Sequence, residues 1–98
     1  MLLAIDIGNT NIALGGFSDG ELCFVARIST DASKTADEYA SVLLNTLSLY
    51  KTSPESVTGA IVSSVVPALN RAVKDAVRFI CGIDPLLVGP GVKTGIGI

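Results

Sequence analysis

The feature that most constrains the fold is a pair of short apolar runs near the N-terminus, separated by a polar turn. Residues 2–5 and 12–17 are apolar, and Asp6-Ile7-Gly8-Asn9-Thr10-Asn11 lies between them. Apolar runs of this length are typical of buried strands. Gly and Asn tolerate the tight backbone geometry of a turn. The sequence therefore predicts a β-hairpin with the carboxylate of Asp6 at the end of its first strand.

The polar turn has two interpretations. Glycine lets a ligand approach the backbone, and the turn N–H groups, the Thr10 hydroxyl and the Asn9 and Asn11 amides are donors for phosphate oxygens. Asp6 is then a ligand for Mg²⁺, which prefers oxygen. Alternatively, the polar side chains satisfy their own backbone and Asp6 accepts from turn N–H groups, as in many Asn/Gly hairpins. Composition and spacing leave both interpretations open.

A third strand and a helix are predicted after the hairpin. Ser18-Asp19-Gly20 is a turn, and residues 21–28 continue an antiparallel meander. Thr35 is a good N-cap, and Glu38 three residues later completes a capping box. The helix carries an apolar stripe at helical spacing, made of Ala36, Tyr39, Ala40, Leu43, Leu47 and Tyr50. This helix is expected to be scaffold that packs on the sheet.

The second half of the chain alternates strands and helices. Strands are predicted over residues 57–63 and 86–88, with a helix over 67–81 that ends at Gly82. A strand–helix–strand unit requires parallel pairing with a right-handed crossover. The predicted fold class is therefore α/β, a ribonuclease-H-like domain. It has a five-stranded mixed sheet, with three antiparallel strands followed by strand–helix–strand units, and helices packed on it.

Two other places have open alternatives. Ser63 and Ser64 end a predicted strand, where α/β sheets bind ligands, but they also suit a serine-capped turn into the next helix. Arg27 is either an anion contact or a solvated charge at the end of a strand. A serine nucleophile is not indicated, because the chain has no histidine and no glycine-flanked serine elbow.

Charge and hydropathy exclude several classes of protein. The formal charge is −2 and no basic block is present, so nucleic acid is not an expected partner. The start lacks a basic region and no apolar run reaches membrane-spanning length, which predicts a cytoplasmic protein without a membrane partner. Cys23 and Cys81 have apolar neighbours and are predicted to be buried free thiols. Hydrophobic residues make up 49% and charged residues 16%, which indicates surface that another part covers.

Three segments carry a family resemblance. Leu2-Leu3-Ala4-Ile5-Asp6-Ile7-Gly8-Asn9-Thr10-Asn11 is similar to the first phosphate motif of the actin, sugar-kinase and heat-shock-chaperone ATPase superfamily, the actin-like ATPases. Its Gly-Asn-Thr-Asn form resembles the type III pantothenate kinases. Ile61-Val62-Ser63-Ser64-Val65-Val66-Pro67 and Val88-Gly89-Pro90-Gly91-Val92-Lys93-Thr94-Gly95 are similar to later segments of that family, in the same order. The resemblance extends over the whole chain.

The resemblance implies transfer of the γ-phosphate of ATP to pantothenate, the first step of coenzyme A synthesis. It implies a cytoplasmic homodimer that uses Mg²⁺ and a monovalent cation, K⁺ or NH₄⁺. Asp6 would serve the Mg²⁺–phosphate complex. The other cofactor-binding positions that it implies are Ile7, Gly8, Asn9, Thr10, Asn11, Ile12 and Ala13. The positions that it implies near pantothenate are Gly91, Lys93, Thr94 and Gly95.

The resemblance also implies that catalytic parts lie elsewhere. Members of the family are more than twice as long, and their general base is an Asp in a Gly-Ala-Asp-Arg motif that this sequence lacks. Residues 1–98 are therefore predicted to be the N-terminal phosphate-binding domain of a longer two-domain kinase, inactive alone. The alternatives are a non-catalytic binding module, such as a transcription accessory factor of the same fold, another sugar or acetate kinase, or a purely structural fragment.

Overall fold

The computed structural model describes residues 1–88, which form five strands, two α-helices and one short 3₁₀ helix at Pro54–Ser56. In chain order the elements are β1 Leu2–Ile7, β2 Asn11–Ser18, β3 Glu21–Ser29, α1 Ala36–Leu49, β4 Gly59–Ser64, α2 Pro67–Cys81 and β5 Leu86–Val88. The predicted order of strands and helices is confirmed. The 3₁₀ helix was not predicted, and it moves the start of β4 from the predicted residue 57 to Gly59.

The sheet has the order β3-β2-β1-β4-β5, with β1 at its centre. β1 pairs with β2 and β2 with β3 in antiparallel directions, whereas β4 is parallel to both β1 and β5. This is the mixed sheet that the sequence predicts. β1 thus has an antiparallel neighbour on one side and a parallel neighbour on the other.

Local sequence signals set the helix ends. The Thr35 hydroxyl accepts from the Glu38 N–H, and the Glu38 carboxylate accepts from the Thr35 N–H, which confirms the capping box of α1. α2 begins with Pro67, whose missing N–H costs nothing in a first turn. It ends at Gly82, which has φ of 70°, a left-handed conformation that glycine adopts without strain.

Both helices contribute to one hydrophobic core, which lies against one face of the sheet. Alternate residues of β1 (Leu3, Ile5 and Ile7) are buried in it, together with Tyr39 of α1 and Val73 of α2. On the opposite face, several large apolar side chains are exposed, namely those of Leu2, Leu22, Val25 and Leu86. We call this second face the open face, because no helix among residues 1–88 covers it.

Three predictions about single residues have different outcomes. Cys23 is exposed, so its predicted burial is wrong. Cys81 is half-buried, and burial raises the pKa of its thiol. Tyr50 caps the C-terminus of α1, and its ring stacks on Phe24 of β3 with a centroid distance of 5.0 Å, so it does pack on the sheet. Within residues 1–88, neither helix combines the length and the hydropathy needed to cross a membrane.

Candidate functional site

The candidate site lies at the carboxyl-end edge of the sheet, the side on which β1 and β4 both end. The Val65 N–H donates to the Ile7 carbonyl at 3.0 Å, so the two parallel strands end side by side. The β1–β2 turn and the N-terminus of α2 both start from this edge. Open α/β sheets bind ligands outside the carboxyl ends of their strands, at the point where strand order reverses. The central strand of this sheet ends at such a point.

Asp6 is the penultimate residue of β1, and its side chain belongs to the open face. Its register neighbours are Ala13 on β2 and Ser63 on β4. The Ser63 hydroxyl donates to Asp6 Oδ1 at 3.5 Å, a long contact, and this is the one side-chain hydrogen bond of the carboxylate within residues 1–88. Asp6 therefore does not accept from turn N–H groups, as one of the two interpretations required. Its second oxygen is available to a ligand or a metal ion.

The β1–β2 turn is tight at Gly8. The Gly8 N–H donates to the Asn11 carbonyl at 2.9 Å. A Cβ atom on residue 8 would lie 2.9 Å from that carbonyl oxygen, closer than Cβ contacts ordinarily come, so glycine permits this closure. The side chains of Asn9, Thr10 and Asn11 are exposed and make no hydrogen bond to any other group of residues 1–88. The turn thus presents unused donors beside Asp6.

The apolar residues of the predicted motif pack next to the site and contribute no polar side chain to it. Ile7 and Ile12 are register partners whose side chains are buried in the core, so only their backbone is near the turn. Ala13 lies next to Asp6 on the open face and leaves space above it because its side chain is small. Arg27 follows Ala13 in the same row across the sheet. With strands about 4.8 Å apart, its Cα is about 10 Å from that of Asp6.

The structure is compatible with both interpretations of Arg27, an anion contact and a solvated charge at a strand end. Arg27 is exposed and forms no salt bridge with any other residue among 1–88. It shares the open face with Asp6, which suits an anion contact, but exposure also suits a solvated charge at a strand end.

The two serines that end β4 have different roles. Ser64 is buried, and its Oγ accepts from the Val66 N–H at 3.0 Å, so it caps the turn into α2. Ser63 instead points to Asp6. Val66, the N-cap residue of α2, offers no side-chain acceptor, and the first turn of α2 contains no acidic residue. The positive end of the helix dipole is therefore not neutralised by these groups at this edge.

The sequence analysis missed Thr30, which follows β3. Its hydroxyl donates to the Gly8 carbonyl at 2.8 Å, and its N–H donates to the Thr10 carbonyl at 3.0 Å. Next to it, hydrogen bonds from the Ser33 hydroxyl and N–H lower the pKa of the Asp31 carboxyl, and Lys34 adds to this effect. A polar loop gives no local signal of a partner that lies 22 residues away in the sequence.

The number of carboxylates at the candidate site restricts which metal ion could bind there. No group of three or more His, Cys, Asp or Glu side chains suitable for a metal ion occurs within residues 1–88. A single half-buried carboxylate is not a cage for Ca²⁺ or Zn²⁺. It suits Mg²⁺, which keeps several waters and takes its other ligands from phosphate oxygens. The predicted pantothenate-side positions Gly91, Lys93, Thr94 and Gly95 lie outside the described residues.

Sequence comparison identifies similar proteins. The family model described as type III pantothenate kinase matches residues 2–98. A type III pantothenate kinase of Finegoldia magna is 51% identical over 96 residues, which cover 98% of this chain and 37% of that protein. One from Bifidobacterium animalis subsp. lactis is 44% identical over 99 residues, covering 100% of this chain and 39% of that protein. The chain spans about two fifths of the length of these relatives.

Similar folds occur among solved structures. The ROK hexokinase of Thermus thermophilus superposes with a TM-score of 0.64 at 14% identity, over 90% of this chain and 33% of the hexokinase. RuvC of T. thermophilus, solved in complex with a Holliday junction substrate, has a TM-score of 0.56 at 17% identity, over 91% of this chain and 64% of RuvC. At such identities the likeness shows the fold alone, and it confirms the predicted ribonuclease-H-like class.

Proposed function

Because this chain belongs to the type III pantothenate kinase family, we propose that the full-length kinase transfers the γ-phosphoryl group of ATP to pantothenate, the first step of coenzyme A synthesis. In this proposal residues 1–98 supply the part that binds the phosphates of ATP. Phosphoryl transfer depends mainly on positioning and on neutralising charge, so a turn of donors next to a metal carboxylate is suitable equipment.

One observation supports the proposal most directly. The β1–β2 turn carries three polar side chains without hydrogen-bond partners among residues 1–88. It stands beside Asp6, whose only side-chain hydrogen bond within those residues is the 3.5 Å one from Ser63. Polar groups held in a fixed turn and left without protein partners are suited to an external ligand with many acceptor oxygens. The phosphates of ATP are such a ligand.

Asp6 is the residue that would hold Mg²⁺. When bound, the ion supplies charge neutralisation at the phosphate oxygens. Asp6 would bind it directly or through its waters, and Ser63 would orient the carboxylate through the contact at Oδ1. The turn residues Gly8 to Asn11 would surround the phosphates, with the backbone of Ile12 and Ala13 at the start of β2.

The remaining features of the kinase are proposed from the family. Gly91, Lys93, Thr94 and Gly95 would lie near the pantothenate pocket. The general base would come from the Gly-Ala-Asp-Arg motif outside these residues, so the 98-residue chain would bind nucleotide without catalysis. A cytoplasmic homodimer that uses K⁺ or NH₄⁺ completes the proposal, with neither nucleic acid nor membrane as a partner.

A thermal-shift titration with MgATP tests the proposal on the 98-residue chain. A ligand that binds only the native state stabilises it by about 2.7 kcal/mol at one hundred times Kd. We expect MgATP to raise the unfolding temperature of the wild-type chain and Asp6→Asn to abolish the increase. Asp19→Asn is the matched control. It removes the same charge at the β2–β3 turn, at the opposite end of β2, where φ of 53° suits Asn.

Equal stabilisation of the wild-type chain and Asp6→Asn would contradict the assigned role of Asp6. In the full-length kinase, the same variant should lower kcat for pantothenate phosphorylation, measured with a coupled assay for ADP. An Asp6→Asn kinase with the wild-type kcat would overturn the proposed function of this edge of the sheet.

A further inference from the structure

We propose that Thr30 is a positioning residue that sets the direction of the turn N–H groups used for phosphate, an inference that rests on the proposed function. Thr30 is half-buried between β3 and α1. It contacts the β1–β2 turn twice, through its hydroxyl to the Gly8 carbonyl at 2.8 Å and through its N–H to the Thr10 carbonyl at 3.0 Å. The two contacts lie on either side of Asn9.

The geometry of the peptide bond turns these contacts into an orienting device. A trans peptide is planar, and its C=O and N–H groups point in opposite directions. No cis peptide occurs within residues 1–88. Because Thr30 holds the carbonyls of Gly8 and Thr10, it directs the N–H groups of Asn9 and Asn11 away from itself. Two amides of the candidate phosphate site therefore take their direction from one threonine.

Thr30 is itself anchored to the core. The next residue, Asp31, donates its N–H to the Tyr39 hydroxyl at 2.9 Å, and that hydroxyl donates to the Asp31 carbonyl at 2.8 Å. Tyr39 is in α1 and is 0% exposed. The connection from the turn through Thr30 and Asp31 to Tyr39 therefore joins the ligand-facing backbone to a fixed helix. A turn held in this way loses little conformational entropy when a phosphate binds.

The test compares Thr30→Val with Thr30→Ser in the 98-residue chain. Valine keeps the shape and the backbone N–H but removes the donor, whereas serine keeps the donor. We expect Thr30→Val to raise the Kd for MgATP by about five- to tenfold, the effect of one uncharged hydrogen bond, and Thr30→Ser to restore most of the affinity. Thr58→Val is the matched control. It removes a hydroxyl that lies 3.4 Å from the Met1 carbonyl, at the opposite end of β1.

A second readout is independent of nucleotide. Hydrogen exchange of the Gly8 and Thr30 amides, which donate to the carbonyls of Asn11 and Thr10, can be followed by NMR. It should become faster in Thr30→Val and stay near the wild-type rate in Thr30→Ser and Thr58→Val. A loss of overall stability would accelerate exchange throughout the core as well, so faster exchange confined to the turn identifies a local effect.

The outcomes separate the two proposals. If the wild-type chain binds MgATP and depends on Asp6, but Thr30→Val binds equally well with unchanged exchange at the turn, the inference about Thr30 is wrong and the proposed function stands. If the wild-type chain does not bind MgATP, the phosphate role of this turn is overturned and the positioning role with it. Equal weakening by Thr30→Val and Thr30→Ser would also contradict the inference, because the hydroxyl would not be the cause.

Discussion

Two adjacent glycines of β2 have opposite surroundings. Gly15 belongs to the open face, and a Cβ atom there would lie 3.3 Å from the Phe17 ring. Gly16 belongs to the core face, and a Cβ atom there would lie 2.2 Å from the Phe24 ring. Phe24 in turn stacks on Tyr50 at the end of α1. Because Gly16 has no side chain, the Phe24 ring can occupy this position and stack on Tyr50. This aromatic pair joins edge strand β3 to α1.

Gly16→Ala should destabilise the chain far more than Gly15→Ala. The added methyl must displace the Phe24 ring from a packed position, and overpacking of this kind costs about 1–3 kcal/mol. At Gly15, a displacement of a few tenths of an ångström accommodates the methyl group. The measurement is the free energy of unfolding in urea for both variants. Equal destabilisation would show that the Phe24–Tyr50 stack does not depend on Gly16.

At the scale of elements, the two helices begin in different ways. α1 has a complete capping box, in which the hydrogen bonds join Thr35 and Glu38 only to each other. α2 begins next to Asp6 and Ser63, and its N-cap residue Val66 has no side-chain hydrogen bond. A capped terminus stabilises a scaffold helix, whereas an uncapped one leaves N–H groups and the positive dipole end for another group. This contrast agrees with α1 as scaffold and α2 as part of the site.

Thr35→Ala should lower the free energy of unfolding by about 1 kcal/mol, the usual cost of losing an N-cap side chain. Ser41→Ala is the control, because Ser41 is exposed within α1 and makes no side-chain hydrogen bond to residues 1–88. It should change stability little, since alanine is the better helix former. Thermal unfolding followed by circular dichroism measures both. A Thr35→Ala chain as stable as Ser41→Ala would mean that the capping box contributes nothing.

The elements were predictable because their signals are local. The short apolar run of β1, the capping residues of α1 and Gly82 after α2 each act within a few residues, and each was confirmed. The contacts of Thr30 and Tyr39 were not predictable, because they join loops and helices through tertiary geometry. The exposure of Cys23 was missed for a related reason. Its apolar neighbours indicate burial only when both faces of the sheet are covered.

At the scale of the whole molecule, the exposed large apolar side chains lie in two main places. One group is on the helices, for example Leu49 on α1 and Phe79 on α2, and the other is on the open face, with Leu22 and Val25 on β3 and Leu86 on β5. β3 and β5 are the two edge strands of the sheet. An edge strand offers unpaired N–H and C=O groups, and exposed apolar side chains next to them favour pairing with another chain. The chain alone thus combines a stable core with an edge suited to association.

We expect the 98-residue chain to self-associate as its concentration rises, and Val25→Lys to reduce that association. Val25 is 44% exposed on edge strand β3, and a charge on an edge opposes strand pairing at little cost to the folded chain. Leu49→Lys is the matched control, because Leu49 is 79% exposed but lies on α1. Sedimentation velocity over a range of concentrations measures the effect. If both variants reduced association equally, general hydrophobicity would be its cause, whereas a specific effect of Val25→Lys would identify the β3 edge as the contact.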